Sequence, residues 1–389
     1  MKYHIFKEWL RPYAQTFREF ALESERNYKP IDTCLQDPCF KPLQLFKTPA
    51  EYWEGITLRD GSTLYGATAL ETVIFVEELA WGDPSMYLSL PGPNLSGPLI
   101  ENLGTKEQRD AYFGYFLEHV AWSAFSLTEP GAGSDATNLA MTAERQEDGS
   151  YLLNGTKRYI ANAEFSEWFI VFVRSKKKDT PAAAKASPLA IECFVFHANQ
   201  DTPGLRLSHD RTLGQRAARL GIVELNNFRL GTENVLGYDK KPLLRGLRGA
   251  LGTFYHMRPA TAAIAIGTSR AAIEYVEGLR GLSANEEIRL SRLKWELERG
   301  RLLTHWAAQE CDNGVFNSKY SSMAKHYMNQ LVLKTTRECL QMVGVDGMTE
   351  HPHLEKWMRD AHMIEFMEGS TNIHKKEVAT QLLVSGVKG

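Results

Sequence analysis

The chain has 389 residues, more than one hydrophobic core usually serves, so two or three domains are expected. Its 45 Lys and Arg against 47 Asp and Glu leave a formal net charge of −2. That balance argues against a nucleic-acid backbone or an anionic membrane surface as the main partner, since both reward clustered basic charge. A hydrophobic content of 43% with 24% charged residues excludes a disordered chain.

Residues 1 to about 120 read as mainly helical. The clearest case is 70–80, where Leu70, Val73, Ile74 and Glu77 fall on helical spacing and Asp83-Pro84 closes the run. From 121 to 237 the period changes to short β-rich runs (AWSAFSL, YLLNGTKRYI, WFIVFVR, AIECFVF, GIVEL). These are punctuated by Asp148-Gly149, Asn154-Gly155 and Pro203-Gly204, and they read as antiparallel strands with tight turns. KKKDTPAAAKASP (176–188) reads as a solvated loop between two of them. From about 250 the helical period returns. Ser283-Ala284-Asn285-Glu286 matches a capping box opening a helix through Leu297 and Trp306. A second helix runs from near Ser318 to Met342, and a short one carries Ile373, Val378 and Leu382. The order predicts an α+β fold with a helical domain (1–120), a small β domain (121–237) and a helical bundle (238–389).

The five cysteines, Cys34, Cys39, Cys193, Cys311 and Cys339, form no C-x-x-C pair and read as reduced thiols. The opening MKYHIFKEWLRPYAQ lacks the apolar run of a signal peptide, and no stretch reaches the roughly 18 apolar residues of a membrane helix. A cytoplasmic location is expected, with no membrane and no nucleic-acid partner.

LTEPGAGSDA (127–136) is the richest local signal. It fits G-x-G-x-x-A after a strand, yet a dinucleotide site also needs a following helix and a parallel strand, which the next hundred residues do not suggest. A glycine turn whose backbone approaches a flat or phosphorylated ligand, with the Thr128 and Ser134 hydroxyls as donors, is one alternative, and a plain surface turn is the other. MEGSTNIHK (367–375) places Glu368 just before a helix. There it is either a carboxylate favoured by the helix N-terminus or a general base, which needs a buried site to raise its pKa. Ser208-His209-Asp210 cannot converge as a triad because sequence neighbours do not, and Ser322-Met323-Ala324-Lys325 lacks the companion motifs of S-x-x-K enzymes. His351-Pro352-His353 has no third ligand at helix spacing, and Trp295 and Trp306 read as helix-packing residues.

Four blocks together resemble the acyl-CoA dehydrogenase family of flavoproteins: AFSLTEPGAGSDATNLAMTAE…YLLNGTKRYIANA, RTLGQRAARLGIVELNNFRLGTENVLG, FYHMRPATAAIAIG and QMVGVDGMTEHPHLEKWMRDAHMIEFMEGSTNI. They span about 121 to 376. The resemblance implies an N-terminal helical domain, a central β-barrel-like domain, a C-terminal four-helix bundle, bound FAD and a homo-oligomer, dimer or tetramer. It places the base that removes the α-proton of an acyl thioester at Glu368. Phe125, Leu127, Thr128, Gly133 and Ser134, with Tyr159, Ile160 and Ala161, would line the flavin. Gln341, Gly344, Ser370 and Asn372 would hold the adenosine half, partly across a subunit boundary. Ser134, Tyr255, Arg258 and Gly369 fall at substrate-side positions.

The implied reaction is α,β-dehydrogenation, with the β-hydride passing to flavin N5 and the substrate carried by CoA or by the phosphopantetheine of a carrier protein. Electrons would leave to an electron-transfer partner or to O2. An oxidase or monooxygenase on the same fold and a non-catalytic flavin scaffold are the competing readings. The chain departs from the family in four places. Tyr159-Ile160-Ala161 stands for Trp-Ile-Thr, Val345 for the second glycine of Q-x-x-G-G, and Tyr255-His256 for an aspartate–arginine pair. An arginine-phenylalanine-glycine segment is missing between Leu279 and Ile288.

Overall fold

Apolar residues at helical spacing build the two ends of the molecule, and β-rich runs build its middle. The computed structural model describes residues 2–176, 190–279, 281–315, 318–345 and 347–386. Its longer elements are α1 (Lys2–Asn27), α2 (Ala69–Gly82), α3 (Lys106–Glu118), β1 (Trp122–Ser126), β2 (Thr142–Arg145), β3 (Tyr151–Ile160), β4 (Ser166–Lys176), β5 (Ile191–His197), β6 (Leu205–His209) and β7 (Gly221–Leu230). They continue with α4 (Gly246–Glu277), α5 (Ala284–Asp312), α6 (Lys319–Met342), α7 (Pro352–Ile364) and α8 (Thr371–Gly386). This is an α+β fold.

The periodicity of α2 suggests one buried face, but every residue of the helix is buried. Helix α1 packs Phe6, Leu10, Ala14 and Phe17 into the same core, while α4 and α5 also contact α2. Helices α1, α4 and α5 supply the cations that its buried carboxylates need. Glu77 pairs with Lys7, Arg270 and Arg301, and Glu78 with Arg11 and Arg270. Gly267 makes the crossing close, since a Cβ there would lie 2.4 Å from Glu77 O and 2.7 Å from Trp81 N.

The sheet differs from the antiparallel reading. Strand β4 pairs in parallel with β1 and with β2 along one edge, and antiparallel with β5 along the other. The β2–β3 hairpin is inserted between β1 and β4, so the chain crosses over and returns in the same direction. Strands β3, β7 and β6 complete the sheet in antiparallel pairs. Its interior is a separate core that includes Leu153, Phe169, Val171, Phe194, Phe196 and Val223.

Ser283 and Glu286 form the capping box expected at the start of α5. Trp295 is a correction: it is 73% exposed and packs on no core, because it falls on the outer face of α5. Trp306 packs against Tyr320 with ring centroids 4.3 Å apart. Of the 176–188 loop, residues 177–188 lie outside the described residues. Among the described residues no helix is long and apolar enough to cross a membrane.

Candidate active site

The turn between α7 and α8 holds two carboxylates, and they have different fates. Glu365 accepts from both the backbone N and Oγ1 of Thr371, each at 2.8 Å, and so caps the start of α8. Glu368 makes no such bond. Its Oε2 is sealed from solvent and has no hydrogen-bond partner among the described residues, and its backbone sits in the left-handed region at φ 51°. A non-glycine residue held there stores strain, and a buried polar atom left unpaired costs free energy; both mark functional positions more often than structural ones. Burial pushes the Glu368 carboxyl above the usual glutamate range, while Arg258, Lys47, Lys325 and the Thr261 hydroxyl pull it back.

These neighbours arrive from separate elements. Arg258 and Thr261 lie on α4, Lys325 on α6, and Lys47 in the loop after Phe46. Lys325 is buried and donates to Ile364 O at 2.7 Å and to Asn329 Oδ1; burial lowers its pKa to about 7 against the pull of Glu365 and Glu368. Burial likewise takes Lys47 down to about 7, with Glu368 opposing. Arg258, expected on the substrate side, forms a two-pronged ion pair with Glu377 of α8 and donates to Ser322 Oγ at 3.3 Å. The His374 imidazole is fully buried, and burial depresses its pKa to about 4, so it is neutral.

A cavity of about 310 Å³ opens beside this group and is lined by Ser134, Tyr255, Ser318, Ile373, Glu377 and Thr380. Ser134 belongs to the glycine-rich turn after β1, and that turn is pinned from beneath. Glu129 accepts from Lys157 Nζ at 2.7 Å and from the backbone N of Ala140 and Met141, and Lys157 also donates to Leu127 O. Thr128 O accepts from the Arg158 backbone. No helix follows this turn, which runs into β2. On β3, a register shift between Arg158 and Ile160 makes Tyr159 the extra residue of a bulge, with φ 62° and the side chain 51% exposed, while Ile160 points into the core. Ala161, half-buried, follows the bulge. The Phe125 ring packs against Phe172 and Phe254.

The expected residues therefore divide. Ser134 and Tyr255 line the cavity, Arg258 is a neighbour of Glu368 and pairs with Glu377 of the cavity wall, and Gly369 follows Glu368 in the chain. Ser370 is half-buried ahead of α8, and Asn372 is exposed in its first turn. Gln341 and Gly344 are exposed at the far end of α6, about 24 Å by helical rise from Lys325. Sequence reasoning missed Lys47, Tyr87, Thr261 and Lys325 around the base, and the Glu129–Lys157 pair under the turn. Lys47, Tyr87 and Thr261 carry no motif of their own, Lys325 falls in the discarded S-x-x-K match, and Glu129 and Lys157 lie inside quoted blocks that gave them no role. The one available signal is a lone charge inside an apolar run, as in LQLFKTP.

The layout is a buried carboxylate near a cavity between a sheet turn and a helical bundle, in an α+β fold. The chain matches the family models for the acyl-CoA dehydrogenase middle domain over residues 124–228 and C-terminal domain over residues 245–383. A probable medium-chain specific acyl-CoA dehydrogenase 2, mitochondrial, from Caenorhabditis briggsae is 29% identical over 329 residues, 82% of this chain and 77% of its own. The glutaryl-coenzyme A dehydrogenase in its glutaryl-CoA complex has a TM-score of 0.83 with 25% identity, over 98% of this chain and 95% of that one. The prolyl acyl carrier protein oxidase AnaB shares the fold at a TM-score of 0.81 with 22% identity, over 97% and 98%.

The chain belongs to the acyl-CoA dehydrogenase family and is an FAD-dependent oxidoreductase acting on CH–CH groups. Its residues fit that cofactor. Ser126 Oγ is buried with no partner among the described residues, a Cβ on Gly131 or Gly133 would meet nothing within 4 Å, and the β3 bulge turns Tyr159 outward.

Proposed function

We propose that the chain dehydrogenates an acyl thioester between Cα and Cβ, with Glu368 removing the α-proton. The observation that carries this reading is the unpartnered, solvent-sealed Oε2 of Glu368, left free because Glu365 does the capping. Burial makes that oxygen a stronger base than an exposed glutamate, and the surrounding cations keep it ionised for the task. The positive φ of Glu368 and of Gly369 (107°) turns the carboxylate away from the axis of α8. Bound FAD would supply the acceptor for the β-hydride, held along residues 125–134 and 159–161 with Gln341, Gly344, Ser370 and Asn372 toward its distal half. Ser134 and Tyr255 would contact the pantetheine arm along the cavity, whether CoA or a carrier protein brings it, with Gly369 beside the base.

The test is an anaerobic titration with a panel of acyl-CoAs and acyl-pantetheines, following flavin absorbance. Glu368→Gln should keep flavin and bind thioester but lose flavin reduction by at least roughly two orders of magnitude, the loss expected for a general base. Normal bleaching in that variant would place the base elsewhere.

A further inference from the structure

Helix α6 buries polar groups on a face where helix packing calls for apolar ones. Ser322, Lys325 and Asn329 follow the i, i+3, i+7 spacing of one helix face, and all three are 0% exposed on a helix that packs against α7 and α8. The S-x-x-K spacing, without the companion motifs of an enzyme family, puts serine and lysine one turn apart on that face. A buried ammonium is costly unless it is paired, so the partners of these side chains decide what the face does.

Those partners lie in the segment that joins α7 to α8. Lys325 Nζ donates to Ile364 O at 2.7 Å, the same carbonyl that accepts from Met367 N at 3.3 Å. Asn329 accepts from Lys325 through Oδ1 and donates through Nδ2 to Glu365 O at 3.4 Å. Both carbonyls stand at the C-terminal end of α7, where a helix runs short of its own donors and where a cation suits its negative pole. Ser322 reaches the far side of the turn. Its Oγ gives its hydrogen to Glu377 Oε2 at 2.7 Å, so His374 Nδ1, 3.3 Å away, is the donor in their contact. The buried His374 ring in turn closes on Gly369, where a Cβ would lie 3.3 Å from both Cε1 and Nε2. Between these anchors Glu368 holds its φ of 51°, a conformation that a non-glycine residue keeps only where its surroundings impose it.

We propose that Lys325 is a positioning residue for proton abstraction: with Asn329 and Ser322 it fixes the backbone of the 364–370 turn, and so the point from which the Glu368 carboxylate meets the substrate. This inference rests on the dehydrogenase reading for the reaction it serves, but the hold of α6 on the turn is measured without turnover.

The experiment compares the FAD-loaded enzyme with Lys325→Met, Asn329→Leu and Ser322→Ala. The first readout is hydrogen–deuterium exchange of the peptide spanning residues 363–371. It should quicken by about tenfold or more in Lys325→Met, while a peptide from the interior of α2 exchanges as in wild type. The second is the pH profile of anaerobic flavin reduction per bound flavin with an acyl-CoA, beside the calorimetric Kd of the enoyl product. Lys325→Met should lower the plateau above the acid limb by about tenfold or more, with the Kd changed by less than about threefold. Loss of charge alone would move the limb and leave the plateau at its wild-type height, and a purely structural role would lower flavin content but not the plateau; either result overturns the proposal. Exchange of the turn at the wild-type rate overturns it too. If Lys325→Met does not fold or keep FAD, Asn329→Leu and Ser322→Ala carry the test, since each keeps the lysine and removes contacts to the turn. Each should lower the plateau by about threefold or more, and two unchanged plateaus would overturn the proposal. If no thioester reduces the wild-type flavin, the dehydrogenase reading fails, and the exchange rates by themselves support or overturn the hold of α6 on the turn.

Discussion

The Lys157→Met variant tests how the turn proposed to line the flavin is held. The Lys157 and Glu129 side chains are 0% and 3% exposed, with Nζ 2.7 Å from Oε1. Methionine matches the bulk of lysine but leaves the Glu129 carboxylate buried on two backbone N–H donors with no cation. Breaking one half of a buried pair costs about 3–5 kcal/mol. Scaling the unfolding entropy to this length converts that into a fall of about 4–6 °C in thermal midpoint. Leu127 and Glu129 flank Thr128, so the flavin-to-protein ratio after purification should fall with stability. Adding Glu129→Gln removes the stranded charge while keeping an acceptor for Ala140 and Met141, so the double variant should recover much of the midpoint. An unchanged midpoint in the single variant, or a double variant no more stable than the single, would refute the reasoning.

Thr261→Val removes a hydroxyl that favours the ionised form of Glu368, so the carboxyl pKa, already raised by burial, rises further. The ionised base is the active form. The acid limb of the rate of flavin reduction, which should lie above pH 4.5 in wild type, is expected to move to higher pH, and a limb that stays put or moves down would contradict this. On α5, Ile288, Trp295 and Leu302 recur every seven residues and are 62%, 73% and 68% exposed. Such a stripe fits a helix seam, so light scattering should give a homo-oligomer, with Trp295→Glu shifting it toward monomer; a monomeric wild type would overturn the assignment.

Most of the architecture could be read from the residues because it is carried by local period. The capping box at Ser283, the 3.6-residue spacing of α6 and the Asp148-Gly149 turn each act over a few positions, whereas Asn154-Gly155, read as a turn, lies inside β3 at a register shift. What escaped is non-local. Nothing in the run WFIVFVR says that β4 lies parallel to β1, since that depends on a hairpin inserted twenty residues earlier. Trp295 read as a helix-packing residue because its own sequence does not record which side of α5 the bundle occupies. The proposed base could be picked out, since Glu368 sits in a recognisable block. Its surroundings were not: Lys47, Tyr87, Thr261 and Lys325 come from four distant segments, and each reads locally as an ordinary loop or helix residue.

Helix α8 takes on three duties at once. Its N-terminal turn presents Glu368, its Glu377 clamps Arg258, and its Ile373 and Thr380 form a wall of the cavity. Under the proposed reaction, entrance and reaction centre are therefore one mechanical part. A displacement of α8 wide enough to admit a bulkier acyl arm also drags the turn that carries the base, so the helix acts as a gauge that ties the width of the doorway to the alignment of the carboxylate behind it. Changing what this enzyme admits by enlarging side chains or loosening the ion pair on α8 would carry a penalty in turnover that substitutions on the opposite wall, at Ser134 or Tyr255, would not.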